Sequence, residues 1–475
     1  MNPLLSTPPP QSAAISWQQR LYALASSHAA PTVAAPAATS KPTVLIGAAP
    51  TQADPTYAGA VQATVDPSSD DAIAALLQRN ATAGHAADPF TGLGQALLGR
   101  FTKDGANLVA DVSGSSTADA SITLGVRTAS GATVKLSLNA TPSGLSVSLN
   151  TDRGLTDAEK SAVAGLARAF QDAVDGLSKA PPTLSLDGLM AADPSVLTSV
   201  DLDASVATAP GVHETIAFHS GIDSRSLKVD GPAGSIAMNL DMSQPATWGN
   251  RTQRDASVAK YLDQIDAAAQ RGHADASLVG LYKDGFSQLN SHYPATPASA
   301  STRGTVRDLS TTDHAQLTGL ADFNASISQA SHASNPMRGD ELDTFNYDVS
   351  QATSLSGRNA SDRRIAQTQD SHLTASFHTS PWPDSPLNLT EQRASQNYDF
   401  TQIDDSAHST TTLAYAKGRL VSASVSEASS QDTRVRRYMA AVLLDDKDTP
   451  TLHNTTRDLL PLLTEQAHAQ RLSVR

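Results

Sequence analysis

The sequence predicts an α+β protein, predominantly antiparallel β, built as two β-meander/helix units followed by an extended polar antiparallel sheet. Two observations carry the prediction. Short segments that alternate apolar and polar residues recur along the chain, the period-2 signature of strands with one buried face. Amphipathic helical stretches follow each group of four such segments. The acids agree with this: only six of the 47 are Glu, and Asp favours turns where Glu favours helix interiors.

Residues 1–53 hold no Asp or Glu, and Pro3, Pro8, Pro9, Pro10, Pro31, Pro36, Pro42 and Pro50 lie among Ala, Ser and Thr. Such a stretch buries too little apolar surface to offset its ordering entropy, so 1–64 is expected to be a disordered leader. Ile15, Trp17, Leu21 and Leu24 could line one short amphipathic helix. The start lacks the positive charge and apolar run of a secretory signal peptide. In composition it resembles the export signals of type III secretion substrates, although an ordinary loose terminus is the plainer reading.

A first α+β domain is expected over 65–293. Ile73, Leu76 and Leu77, then Leu93, Leu97, Leu98 and Phe101, mark two short helices. Leu108-Ala110-Val112, Ile122-Leu124-Val126, Val134-Leu136-Leu138 and Leu145-Val147-Leu149 read as four strands, with Ser-Gly turns at 130–131 and 143–144. Thr156 and Glu159 form a capping box opening a single helix, with Val163, Leu166, Phe170, Val174 and Leu177 on one face. The pattern then recurs. Val200 to Val206, Ile216-Phe218, Leu227-Val229 and Ile236 to Met242 are four more strands. Helices follow through Val258, Tyr261 and Ile265, ending near Gly272, and through Leu278, Tyr282 and Leu289.

Residues 294–312 read as a linker, and 313–475 as a long-stranded domain with a short C-terminal helix limited by Pro461. FNASISQ from Phe323 and FNYDVSQ from Phe345 suggest an internal repeat, echoed by NYDFTQ from Asn397. Leu413–Tyr415, Lys417-Gly418 and Leu420–Val425 read as a hairpin, and 439–444 as part of a further strand.

Charge and composition restrict function. The net charge of −13, with Arg363-Arg364 and Arg436-Arg437 as the longest basic runs, disfavours nucleic acid and anionic membranes. The lack of cysteine excludes disulfides, Cys-ligated metals and a Cys nucleophile, and favours an exported bacterial protein. No phosphate loop or nucleophile elbow is present, and Gly92-Leu93-Gly94 lacks the third glycine of a dinucleotide fingerprint.

His213 and His219 lie six residues apart, as do His372 and His378. Six residues of strand span about 20 Å, too far for two ligands about 2 Å from one metal. They are expected to be solvated surface histidines, with Glu214 facing away from His213. The clusters Asp201/Asp203, Asp404-Asp405 and Asp445-Asp446-Lys447-Asp448 fit no calcium loop and read as solvated turns. Arg338-Gly339-Asp340 reads as a turn, and Trp382 as a loop residue folded back on the sheet. The seven Asn-x-Ser/Thr sequons (Asn80, Asn139, Asn250, Asn324, Asn359, Asn388, Asn454) follow from the abundance of Ser and Thr.

No catalytic, cofactor-binding or metal residue is singled out. The expectation is a non-enzymatic binding, structural or surface-associated protein, exported without a cleaved signal and self-associating or meeting a protein partner through sheet edges. The alternatives are an exported effector or hydrolase whose site is assembled from distant residues, and a cytoplasmic scaffold.

Overall fold

The computed structural model describes residues 62–64, 72–81, 83, 87–104, 107–113, 118–179, 182–294 and 304–465. The expected leader helix around Trp17 and most of the leader lie outside them. After β1 (Gln62–Thr64), the helices α1 (Ala72–Asn80) and α2 (Leu93–Asp104) precede a meander of β2 (Asn107–Ser113), β3 (Ala120–Thr128), β4 (Thr133–Thr141) and β5 (Gly144–Thr151). Helices α3 (Asp157–Gly165), α4 (Ala167–Leu177) and α5 (Asp187–Met190) lead into β6 (Leu197–Ala209), β7 (Val212–Gly221), β8 (Ser224–Gly231) and β9 (Gly234–Asp241). The helical hairpin of α6 (Arg251–Gly272) and α7 (Ala276–Leu289) follows, then the short α8 (Thr311–Ala315). The rest is strand: β10 (Asp322–Gln329), β11 (Thr344–Asn359), β12 (Asp362–Thr379), β13 (Tyr398–Ala416), β14 (Arg419–Met439), β15 (Val442–Asp448) and β16 (Thr451–Asp458).

These strands form one sheet. Its order is β1-β2-β5-β4-β3-β6 and then sequential to β15, with β16 also on β14. All pairings are antiparallel except β1 with β2. Strands on either side of 294–312 are direct neighbours, because β10 pairs with β9 along its whole length. The two meanders close with the same turn chemistry. Thr141-Pro-Ser-Gly144 and Gly231-Pro-Ala-Gly234 each end on a glycine at positive φ, 152° and 142°. A Cβ there would sit 2.3 Å from Val112 O or 2.1 Å from Ser328 O, so the adjacent strand can approach only a glycine.

The expected capping box is present: Thr156 Oγ1 accepts from the Glu159 amide, and Glu159 Oε2 accepts from the Thr156 amide at 2.9 Å. The single helix expected behind it is two. The chain breaks at Leu166, after Gly165, where the amide turns back to Val163 O and a new helix starts. Together with α1, α2, α6 and α7, these helices cover one face of the sheet. There the main core gathers Leu98, Ile122, Leu138, Phe170, Leu202, Ile265, Phe286 and Phe323.

From β12 onward the cover thins. A small core of Leu317, Ile365, Leu413, Ala423 and Leu463 sits at one end of the long strands. Register places it on the helix-covered face, since Ile365, Leu413 and Ala423 are cross-strand neighbours. A second patch of Tyr398, Phe400 and Tyr438, backed by Leu387 and Leu389, lies at the other end and on the opposite face. Between them Asp404, Ser406, Ala407 and His408 are exposed, so this stretch of sheet is a single layer wetted on both sides. The hairpin at Lys417-Gly418 forms as expected, with both residues at positive φ. The strand expected through 439–444 is instead broken by a turn at Ala440-Ala441, again with both at positive φ. Neighbouring main-chain and side-chain groups hold that turn: Asn397 Oδ1 accepts from the Ala440 amide and Gln396 O from the Ala441 amide. The terminal helix starts at residue 460, so Pro461 falls in its first turn, where a missing amide costs nothing.

Candidate functional site

Histidine and carboxylates converge at one place. His378 on β12 lies opposite Phe400 on β13, on the face away from the helices. The β10–β11 connection brings Glu341 and Asp343 to it. His378 Nδ1 is 2.6 Å from Asp343 Oδ1, and Nε2 is 3.4 Å from Glu341 Oε2. The Tyr398 hydroxyl donates to Glu341 Oε2 at 2.7 Å. Arg338 and Arg436 flank Glu341, each 3.7 Å from Oε1. Their guanidiniums lie over Tyr438 and Phe400. Burial pushes the Asp343 carboxyl up, but hydrogen bonds from His378 and Ser334 outweigh it and hold the group below the usual range. Burial, with Glu341 beside it, pushes the Tyr398 phenol well up.

This is a relay in composition but a staple in access. The side chains of His378 and Glu341 are 0% and 2% exposed, and aromatic rings close the site from the sheet side. The imidazole is closed off from solvent, and its bonds to Glu341 and Asp343 tie the 330–343 loop to the bare face of the sheet. His378 therefore departs from the expectation of a solvated histidine, because its strand end is covered on both faces.

The other three singled-out histidines are surface groups on the bare face, each with its own aspartate. His219 meets Asp201 at 2.6 Å, His213 meets Asp119 at 3.6 Å, and His372 meets Asp404 at 2.8 Å. His408 and Asp370 add a fourth such pair at 2.6 Å. Among the described residues, no group of three or more His, Asp or Glu could hold a metal. Glu214 is half-buried, and burial pushes its carboxyl up.

The aspartate clusters are strand residues, not turns: Asp201 and Asp203 lie in β6, Asp404-Asp405 in β13 and Asp445–Asp448 in β15. Strands with a wet face accommodate Asp without burying it. Asp405 faces the helices and takes a two-pronged ion pair from Arg271, while Asp446 pairs with Arg434 at 2.7 Å. Arg338 of the Arg-Gly-Asp tripeptide is committed to the Glu341 cluster. Trp382, flanked by Pro381 and Pro383, is 49% exposed rather than folded back on the sheet. Gly94 packs beneath the Phe170 ring, a packing role for the Gly92-Leu93-Gly94 run.

The remaining candidate is a surface that the sequence did not mark. β15 and β16 run in the same direction, end to end, along the edge of β14 that β13 leaves open. Pro450 interrupts them, and Thr449 ties the break to Thr433 O. β15 carries Asp445, Asp446, Lys447 and Asp448, the charged residues that blunt an edge against pairing. β16 carries Arg457 and Asp458, which offset each other, and Leu452 is 76% exposed. Its pairing with β14 is its only pairing among the described residues, so its far side offers unpaired amides and carbonyls. The signal in the sequence was Pro450 between two short segments rich in polar residues, VLLDDKD and TLHNTTRD. No helix among the described residues is long and apolar enough to cross a membrane. No family model, curated protein or solved structure matches the chain.

Proposed function

We propose that the protein is a non-enzymatic binding and structural protein, a surface-associated platform that joins a second copy of itself by strand addition at β16. The observation that carries this reading is the open edge of β16, eight residues long, with its charged residues confined to Arg457 and Asp458 at the end where β15 carries four in a row. Main-chain hydrogen bonds would supply the affinity, and the exposed Leu452 would gain cover. The sealed state of the His378 cluster weighs against the hydrolase reading. The cysteine-free sequence and acid-poor leader support an exported bacterial setting, which fractionation of cells with and without residues 1–53 tests. Light scattering over a wide concentration range tests self-association. The expected result is a mass that rises with concentration for the native chain and stays at one copy for Leu452→Lys. An unchanging monomer mass for the native chain would contradict the reading.

A further inference from the structure

At the end of the sheet where β6 begins, β7 ends and β8 begins, a pocket of about 220 Å³ opens beneath α5. Its apolar wall is Leu189, Met190, Leu197 and Val200, all buried. Its polar wall is unusual. Val200, Ser220 and Arg225 lie side by side on β6, β7 and β8. They share the face of Leu202, Phe218 and Leu227. Arg225 is therefore a cation on the core side of the sheet, only 4% exposed.

The hydrogen-bond partners of Arg225 are both main-chain carbonyls. Nη1 donates to Leu289 O at 2.7 Å and Nη2 donates to His292 O. These cap the C-terminus of α7, where a cation meets the negative end of the helix. They use Nη donors only, and Nε is buried without a partner among the described residues. No carboxylate is among its partners. Asp187, the acid beside the pocket, is occupied by His292 at 3.1 Å. Asp193 in the wall accepts from the Ser195 amide at 2.9 Å. Arg254 adds a second positive charge against the Tyr293 ring, 4.3 Å from its centroid. Burial pulls the Arg225 guanidinium down to about 10, which leaves it charged at neutral pH.

A buried cation held by two carbonyls and the face of Tyr293, 5.9 Å from its centroid, is costly, and its remaining N–H donors ask for an anion. We propose that this pocket binds a small organic monocarboxylate, its carboxylate on Arg225 and Ser220 and its short apolar body against Leu189, Leu197 and Val200. The volume admits a few carbon atoms beyond the carboxylate and not a drug-sized ligand. The apolar wall favours an organic acid over inorganic phosphate, and Asp193 in the wall disfavours a dianion. This site is separate from the β16 edge and does not depend on self-association.

Calorimetric titration of the full chain with butyrate, butyramide and inorganic phosphate tests the assignment. Butyrate is expected to bind, with butyramide and phosphate each weaker by about tenfold or more, since charge-assisted hydrogen bonds are the strong ones. Ser220→Leu, which fills the pocket from a half-buried strand end beside Arg225, is expected to abolish butyrate binding while the protein stays folded by circular dichroism. Equal affinity for the acid and the amide in the native chain overturns the proposal whatever the variant does. Tighter binding of phosphate than butyrate overturns the ligand class. Undiminished butyrate binding by folded Ser220→Leu overturns the location, and no binding at millimolar butyrate overturns the site.

Discussion

Strands β6 and β13 belong to one sheet and follow the same alternation, yet they are held in different ways. In β6 the residues facing the helices, Val200, Leu202, Ala204 and Val206, are all buried. In the longer β13 only Tyr398, Phe400, Ile403 and Leu413 are buried, and they do not share a face. What β13 lacks in apolar cover it replaces with side-chain bonds to its neighbours: Thr412 to Ser424, His408 to Asp370, His372 to Asp404 and Arg437 to Asp399. Apolar burial is worth about 1.5–3 kcal/mol per large side chain, while exposed ion pairs and cross-strand pairs add about 1 kcal/mol or less each. The lesson is that a sheet can extend beyond its helices if small cores pin the ends of its strands. The buried Arg363–Asp313 pair, with Tyr415 donating to Asp313 at 2.6 Å, is one such pin, and the Glu341 cluster is the other.

Substitutions separate the two regimes, and the largest effect belongs to the backed half. Phe286 is enclosed by Tyr261, Tyr282 and Phe323, so Phe286→Ala is expected to cost about 3–5 kcal/mol by urea denaturation. Truncating exposed Leu452 to Ala should stay within about 0.5 kcal/mol in the same assay. Tyr398→Phe removes the donor to Glu341 and leaves a buried carboxylate short of a bond, for a loss of about 1–3 kcal/mol. A loss near zero would mean that the cluster does not pin the bare end.

Acid offers a finer comparison. Hydrogen bonds from Ser130, Thr156 and Thr128 hold the Glu159 carboxyl down to about 2. A carboxyl lowered on folding stabilises the protein above its unfolded value near 4.5, and that contribution is lost as pH falls towards 2. Melting temperature should therefore drop over this window, and Glu159→Gln should flatten the drop. Asp343 is lowered too, so its share is likewise lost below the ordinary carboxylate range. The smallest effect is expected for Arg434→Ala on the exposed Asp446 pair, a slight fall in melting temperature that vanishes at about 1 M salt. A larger, salt-independent loss would show that the single layer depends on that pair more than its exposure allows.

The backed half was legible because each strand reports its own face. The eight strands of the two meanders, the Thr156–Glu159 box and the stop at Gly272 are all written locally. The pairing of β9 with β10 was not, since register is a relation between strands separated by two helices. The burial of His378 had a signal that alternation read along one face overlooks. In β13 the apolar residues sit at even positions, Tyr398 and Phe400, and then at odd ones, Ile403 and Leu413. That change of phase marks a strand covered first on one face and then on the other. The helix break at Leu166 had no signal stronger than Gly165, which many helices tolerate.

The most direct test is amide hydrogen exchange of the native chain at low and high protein concentration. Strand addition predicts that β16 amides at 451–458 gain protection as concentration rises, while amides of β6 keep theirs unchanged. Exchange in β16 that stays fast at concentrations where the mass has doubled would contradict the account, because the copies would then be meeting somewhere else.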